Sequence, residues 1–134
     1  MRDASAAEVF GCDRCWPASA DEADRARRAL RWSARLIEEP HFSVGLRDCP
    51  VCAQRFVSVF TETIDFVGGE DPQRTILMPL TEAEAAALVA LGDGLTERAL
   101  EAIGAGRRSL HRDWPSDGDA VNVWGRGLSV GPHH

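Results

Sequence analysis

Cys12, Cys15, Cys49 and Cys52 are the only cysteines in a chain of 134 residues, and they fall as two C-x-x-C pairs separated by 33 residues. A C-x-x-C turn aims two sulfurs at one point while backbone N–H groups donate to the thiolates. Two such turns from distant segments can close a tetrahedral cage around one metal ion, most often structural Zn²⁺. Iron and a redox dithiol or disulfide are the competing readings. A catalytic zinc keeps a ligand position open, and four cysteines leave none.

A zinc ion held by four thiolates is a net anion, so donors are expected beside it. Arg14 lies inside the first pair, and Arg47 and Arg55 flank the second. These three are the candidate arginines for hydrogen bonds to sulfur, with simple solvation as the alternative. A second basic group, Arg27, Arg28, Arg31 and Arg35, is a candidate face for an acidic partner or for nucleic acid. Asp21, Asp24, Glu38 and Glu39 lie close to it in sequence and offset it. Trp16, Trp32, Trp114 and Trp124 are read first as core residues and second as stacking platforms.

Composition narrows the class further. The formal charge of −6 disfavours a generic nucleic-acid binder. All basic residues are Arg and none is Lys, which reads as codon bias from a GC-rich, bacterial-like genome. No stretch approaches the length of a membrane helix, and residues 1–10 lack the pattern of a signal peptide. The expectation is a cytoplasmic protein, where paired cysteines bind metal more often than they form disulfides. His111-Arg112-Asp113 resembles a fragment of a kinase catalytic loop, but no glycine-rich loop or metal-binding motif accompanies it. No catalytic residue is assigned.

The elements that must position the cysteines follow from pattern. Ser19 with Glu22 reads as a capping box opening an amphipathic helix over 20–38, which Pro40 ends. His41 to Leu46 reads as a short strand leading into the second pair. Phe56 to Val67 is a strand with neither face wholly polar, expected to be covered on both sides. A turn over 68–72 and a returning strand from Arg74 to Met78 complete a hairpin. Thr81 with Glu84 opens a second helix that Gly92 stops. A third helix starts at Thr96, with Leu95 and Leu100 as a hydrophobic staple, and ends near Gly104. Residues 105–134 show little periodicity and are expected to be irregular; Val121 to Trp124 is a candidate short strand that is left unassigned. The domain reading is one unit over 1–104 followed by that segment.

Cys49-Pro50-Val51-Cys52, with Phe56 four positions on and a hairpin following, resembles the second knuckle of zinc-ribbon proteins, whose usual pattern is C-P-x-C-G-x-x-F. The likeness covers roughly residues 10–80. Where the pattern has glycine after the second cysteine of a knuckle, this chain has Trp16 and Ala53. Rubredoxin-like carriers share the paired spacing but are aromatic-rich around iron, whereas an arginine-rich helix is expected here. The resemblance implies an α+β fold, with a zinc-ribbon-like β-hairpin, a four-cysteine metal site and about three helices. It implies fold more than function. The expected role is a non-enzymatic adaptor or regulatory subunit that binds another protein. A thiol redox or electron-transfer module and a nucleic-acid-associated ribbon are the alternatives.

Overall fold

A computed structural model describes residues 9–63, 72–115, 118–131 and 133 of the chain. The expected turn over 68–72 lies outside the described residues apart from Pro72, as do Ile64, Phe66 and His134. Six strands form one antiparallel sheet in sequence order: β1 (Arg31–Glu39), β2 (Phe42–Asp48), β3 (Arg55–Glu62), β4 (Gln73–Leu80), β5 (Arg108–Trp114) and β6 (Val121–Arg126). Three α-helices are described: α1 (Ala20–Arg27), α2 (Glu82–Leu91) and α3 (Glu97–Ala102). The fold class is α+β, with helices on both faces of a meander. Among the described residues, no helix is long and apolar enough to cross a membrane.

Side chains alternate across the sheet, so each face builds its own core. Phe42, Val44 and Leu46 of β2, Val57 and Val59 of β3, and Ile76, Met78 and Leu80 of β4 share one face. Ala85 and Leu88 of α2, Leu100 of α3, and Leu95 and Leu128 pack onto them. The opposite face carries Phe56, Leu77 and Leu110, packed with Ala23 of α1, Leu30, Cys15 and Cys49. β3 is therefore buried on both sides, as its two-sided apolar pattern requires.

The helix caps form where the sequence places them. Thr81 and Glu84 exchange both bonds of a capping box, at 3.1 and 2.8 Å, and Gly92 ends α2 with a positive φ of 51°. The Ser19 hydroxyl accepts from the Glu22 N–H, and the Thr96 hydroxyl from the Ala99 N–H. Leu95 and Leu100 meet in the same core, as a staple does.

Two elements depart from expectation. The helix over 20–38 stops at Arg27, and Arg31–Glu39 is an edge strand. Two register shifts interrupt its pairing with β2, between Trp32 and Ala34 and between Arg35 and Ile37. Each shift is a bulge that resets the alternation, so Ala34 and Ile37 face the same core although they are three apart. That spacing imitates a helical period. The segment 105–134 is not irregular either. It contains β5 and β6, which extend the sheet beyond β4. Three Arg, with Asp113 and Gly125, interrupt the apolar pattern of these strands, and their pairing partners fix what the local pattern leaves open. His133 stacks on Phe42, with ring centroids 4.5 Å apart.

Candidate metal centre

The second cysteine pair is the tight end of the β2–β3 hairpin. Cys49 N–H donates to Gln54 O and Ala53 N–H to Cys49 O, both at 2.9 Å. Closing that turn drives Ala53 to φ 65°, making it the one non-glycine residue with positive φ among those described. This is the position where the knuckle pattern has glycine, and the backbone adopts the glycine geometry without the glycine. The first pair forms a turn closed by Trp16 N–H to Cys12 O at 2.9 Å. Here the positive φ falls on Gly11, at 70°, before the first cysteine. A Cβ at Gly11 would stand 2.9 Å from the Cys15 sulfur, so no side chain fits there without displacing the site.

The four sulfurs converge. Cys12 Sγ lies 3.7 Å from Cys15 Sγ and 3.9 Å from Cys49 Sγ, and Cys15 Sγ lies 3.7 Å from Cys52 Sγ. All four sit within 4.8 Å of one another, and all are free thiols. A disulfide would need a separation of about 2.05 Å. A metal–sulfur bond of about 2.3 Å in a tetrahedron gives sulfur–sulfur edges of about 3.8 Å. The spacing fits one tetrahedral metal ion. Cys12 N–H points at Cys15 Sγ at 3.2 Å, and the N–H groups of Val51 and Cys52 point at Cys49 Sγ at 3.4 and 3.5 Å. These are the donors that thiolate ligands use.

The protons on these thiols resist ionisation unevenly. Backbone hydrogen bonding from Cys15 brings the Cys12 thiol down to about 7, whereas burial pushes the Cys15 and Cys52 thiols up. A bound cation supplies the charge that stabilises all four as thiolates.

The arginines sit elsewhere than expected. Arg14 is exposed on the first turn. Arg55 lies 3.9 Å from both Asp48 and Glu82. Arg47 donates to Leu30 O at 3.0 Å and lies over the Trp32 ring. None of the three reaches a sulfur among the described hydrogen bonds; backbone amides do. The expected basic face is also divided. Arg27 ends α1 and Arg28 caps it, while Arg31 and Arg35 belong to β1. The strand reading of 31–39 dissolves the helical arc that joined them.

Gln54 and Arg108, which carried no sequence signal, complete the centre together with the tryptophans Trp16 and Trp124. Gln54 Oε1 accepts from Gly11 N–H at 2.9 Å, and its Nε2 donates to Arg55 O and Leu80 O. Trp16 packs on Phe56 at 5.5 Å and edge-on against Trp124 of β6 at 4.9 Å. Trp124 Nε1 donates to Ala18 O at 2.8 Å, and the Arg108 guanidinium lies 4.0 Å above the Trp124 ring. The C-terminal strand thus anchors the segment that carries the first pair. A cleft of ≈ 740 Å³ beside the centre is lined by Cys12 alone of the four cysteines, together with Gly11, Trp16 and Arg108.

The one serine–histidine pair near the kinase-like tripeptide is not arranged for catalysis. Ser109 is fully buried; its Oγ donates to Gly127 O at 2.8 Å and therefore accepts from His111 Nε2 at 2.9 Å. A nucleophile needs the reverse polarity. Arg112 and Asp113 are engaged by Asp24 and Arg74.

Fold and site together define an α+β protein with a four-cysteine centre suited to a metal ion. No family model matches the sequence, and neither a curated protein nor a solved structure matches it.

Proposed function

We propose that this chain is a small zinc-stabilised protein, with zinc-ribbon-like knuckles, that works as an adaptor or regulatory subunit by binding another protein in the cytoplasm. The observation that carries the zinc reading is the set of sulfur–sulfur distances, 3.7, 3.9 and 3.7 Å, among four cysteines that leave no position for substrate. Support for a binding role is by chemistry: an all-thiolate site offers no open ligand position, and a net charge of −6 disfavours nucleic acid. The test is metal analysis of natively purified protein together with affinity capture from its own cells. One zinc per chain and a stoichiometric protein partner are expected. A metal-free protein, or one that captures nothing, overturns the corresponding half of the reading.

One observation favours an iron alternative enough to measure it. Trp16, Phe56 and Trp124 pack around Cys15 and Cys49, which is the aromatic setting of rubredoxin-like centres. Red colour and one iron per chain in anaerobically purified protein would replace the zinc adaptor with an electron carrier.

A further inference from the structure

Arg47 is 7% exposed, and no carboxylate lies within ion-pairing distance of it among the described residues. Its Nη2 has Leu30 O as acceptor, and its Nε meets none. A buried cation without a counter-ion is costly, and proteins ordinarily pair it. Here the surroundings add like charge instead. Burial lowers the Arg47 pKa, and Arg27 and then Arg35 lower it further.

The neighbouring acids are already committed. Asp24 is shared by Arg27 at 2.9 Å and Arg112 at 3.3 Å. Asp48 accepts from Ser33 at 3.1 Å and faces Arg55 at 3.9 Å. Glu38 reaches only to 4.0 Å from Arg35, and both are well exposed. In a chain with 21 acidic and 15 basic residues, this face keeps an excess of positive charge. Trp32 stands at its centre, 46% exposed, with the Arg35 and Arg47 guanidiniums 4.5 and 4.4 Å from its ring. Its seat is built: a Cβ on Gly45 would come within 2.7 Å of the indole, so the ring lies directly on the β2 backbone.

We infer that the face presented by exposed Trp32 and Arg35, with the buried charge of Arg47 and the neighbouring Arg27 adding positive potential to it, docks the carboxylates of an acidic peptide segment on a partner protein. This rests on the adaptor reading above and names the chemistry of its partner. Carboxylates fit the exposed Arg35 fork, and held there beside Trp32 they bring counter-charge close to the buried Arg47 without touching it. A nucleic acid fits less well. The indole face is already engaged by two guanidiniums rather than open to a base, and the acidic chain repels an extended polyanion.

The test is titration of isotope-labelled full-length protein with a short Glu/Asp-rich peptide at low salt. Trp32 indole and arginine side-chain signals are followed, with inorganic phosphate and a single-stranded oligonucleotide as parallel probes. Saturable shifts centred on Trp32 and Arg35 are expected. They should weaken as salt rises, and by at least about tenfold in Arg35→Glu. Arg35 is exposed, and unchanged metal content and circular dichroism would confirm that the variant folds. Absent shifts, or shifts indifferent to Arg35→Glu, overturn the site. Tighter binding of phosphate or oligonucleotide to the same face overturns the carboxylate assignment. Capture of the native partner by Arg35→Glu as well as by wild type overturns the site and leaves the adaptor role standing. Peptide binding here without any native protein partner overturns the adaptor role and leaves the site.

Discussion

Gln54 Oε1 accepts the Gly11 N–H at 2.9 Å, joining the two cysteine turns by a route that bypasses the sulfurs. The same side chain donates to Arg55 O and Leu80 O at 2.8 and 2.7 Å, so it ties the first turn to β3 and β4 at once. Gln54→Ala leaves these partly buried groups without partners. A loss of about 1–3 kcal/mol is expected in urea unfolding of the metal-bound protein. A loss seen only after chelation would assign Gln54 a role in the apo state alone.

Removing the metal should separate the two cores. Cys15 and Cys49 belong to the layer of Phe56, Leu77 and Leu110, whereas Val44, Val57, Met78 and Leu88 belong to the other. Chelation, or Cys49→Ser, should therefore release residues 11–18 and loosen α1 while α2 and the central strands hold. Hydrogen exchange would read this as lost protection in the first group and retained protection on β2, β3 and β4. Uniform loss across the sheet would show that the centre holds the whole fold.

Ala53 occupies a left-handed conformation, φ 65°, that a Cβ disfavours. Ala53→Gly relieves that strain at the cost of a more flexible unfolded chain. A net gain of about 0.5–1 kcal/mol is expected in thermal or urea unfolding.

Glu84 closes the α2 cap and pairs with Arg107 at 2.6 Å through Nη1, and its other oxygen accepts from Nη2 at 3.2 Å. Burial pushes its carboxyl up, but the Arg107 hydrogen bonds and Thr81 N–H overcome this, so its pKa ends below the ordinary value. The stability it lends is therefore complete above the unfolded-state value of about 4.3 and is lost as pH falls through the lower folded value. The melting-temperature gap between wild type and Glu84→Gln should be widest at neutral pH and close in acid. A gap that widens on acidification would contradict the sign.

Asp24 is 5% exposed and bridges Arg27 of α1 to Arg112 of β5. Asp24→Asn leaves two guanidiniums facing each other across the α1–sheet junction. A cost of about 3–5 kcal/mol is expected. The readout is denaturant unfolding followed by tryptophan fluorescence, to which Trp124, tied to Ala18 beside α1, contributes.

Much of the local structure was legible. Capping residues announced α2, α3 and the start of α1, because a cap needs only a side chain three positions from its donor. β3 was legible because its run of β-branched and aromatic residues is uninterrupted, and its two-sided burial followed from that run. β1 was not. Its two bulges break the period of two, and Arg, Ala and Leu, which favour helices, fill the strand. β5 and β6 were not legible because Arg108–Trp114 and Val121–Arg126 draw their order from partners on β4 and from the Trp16–Trp124 contact.

At the site, the cysteine spacing by itself determined the chemistry: four thiolates from two C-x-x-C turns can meet at one ion, because each turn is a local geometry written in adjacent residues. What the spacing could not contain was the company that ion would keep. The places of Gln54, Trp124 and Arg47 depend on segments up to 106 residues apart becoming neighbours, as in the Trp124–Ala18 bond. Register across six strands decides that, and register is a property of packed faces rather than of any one segment.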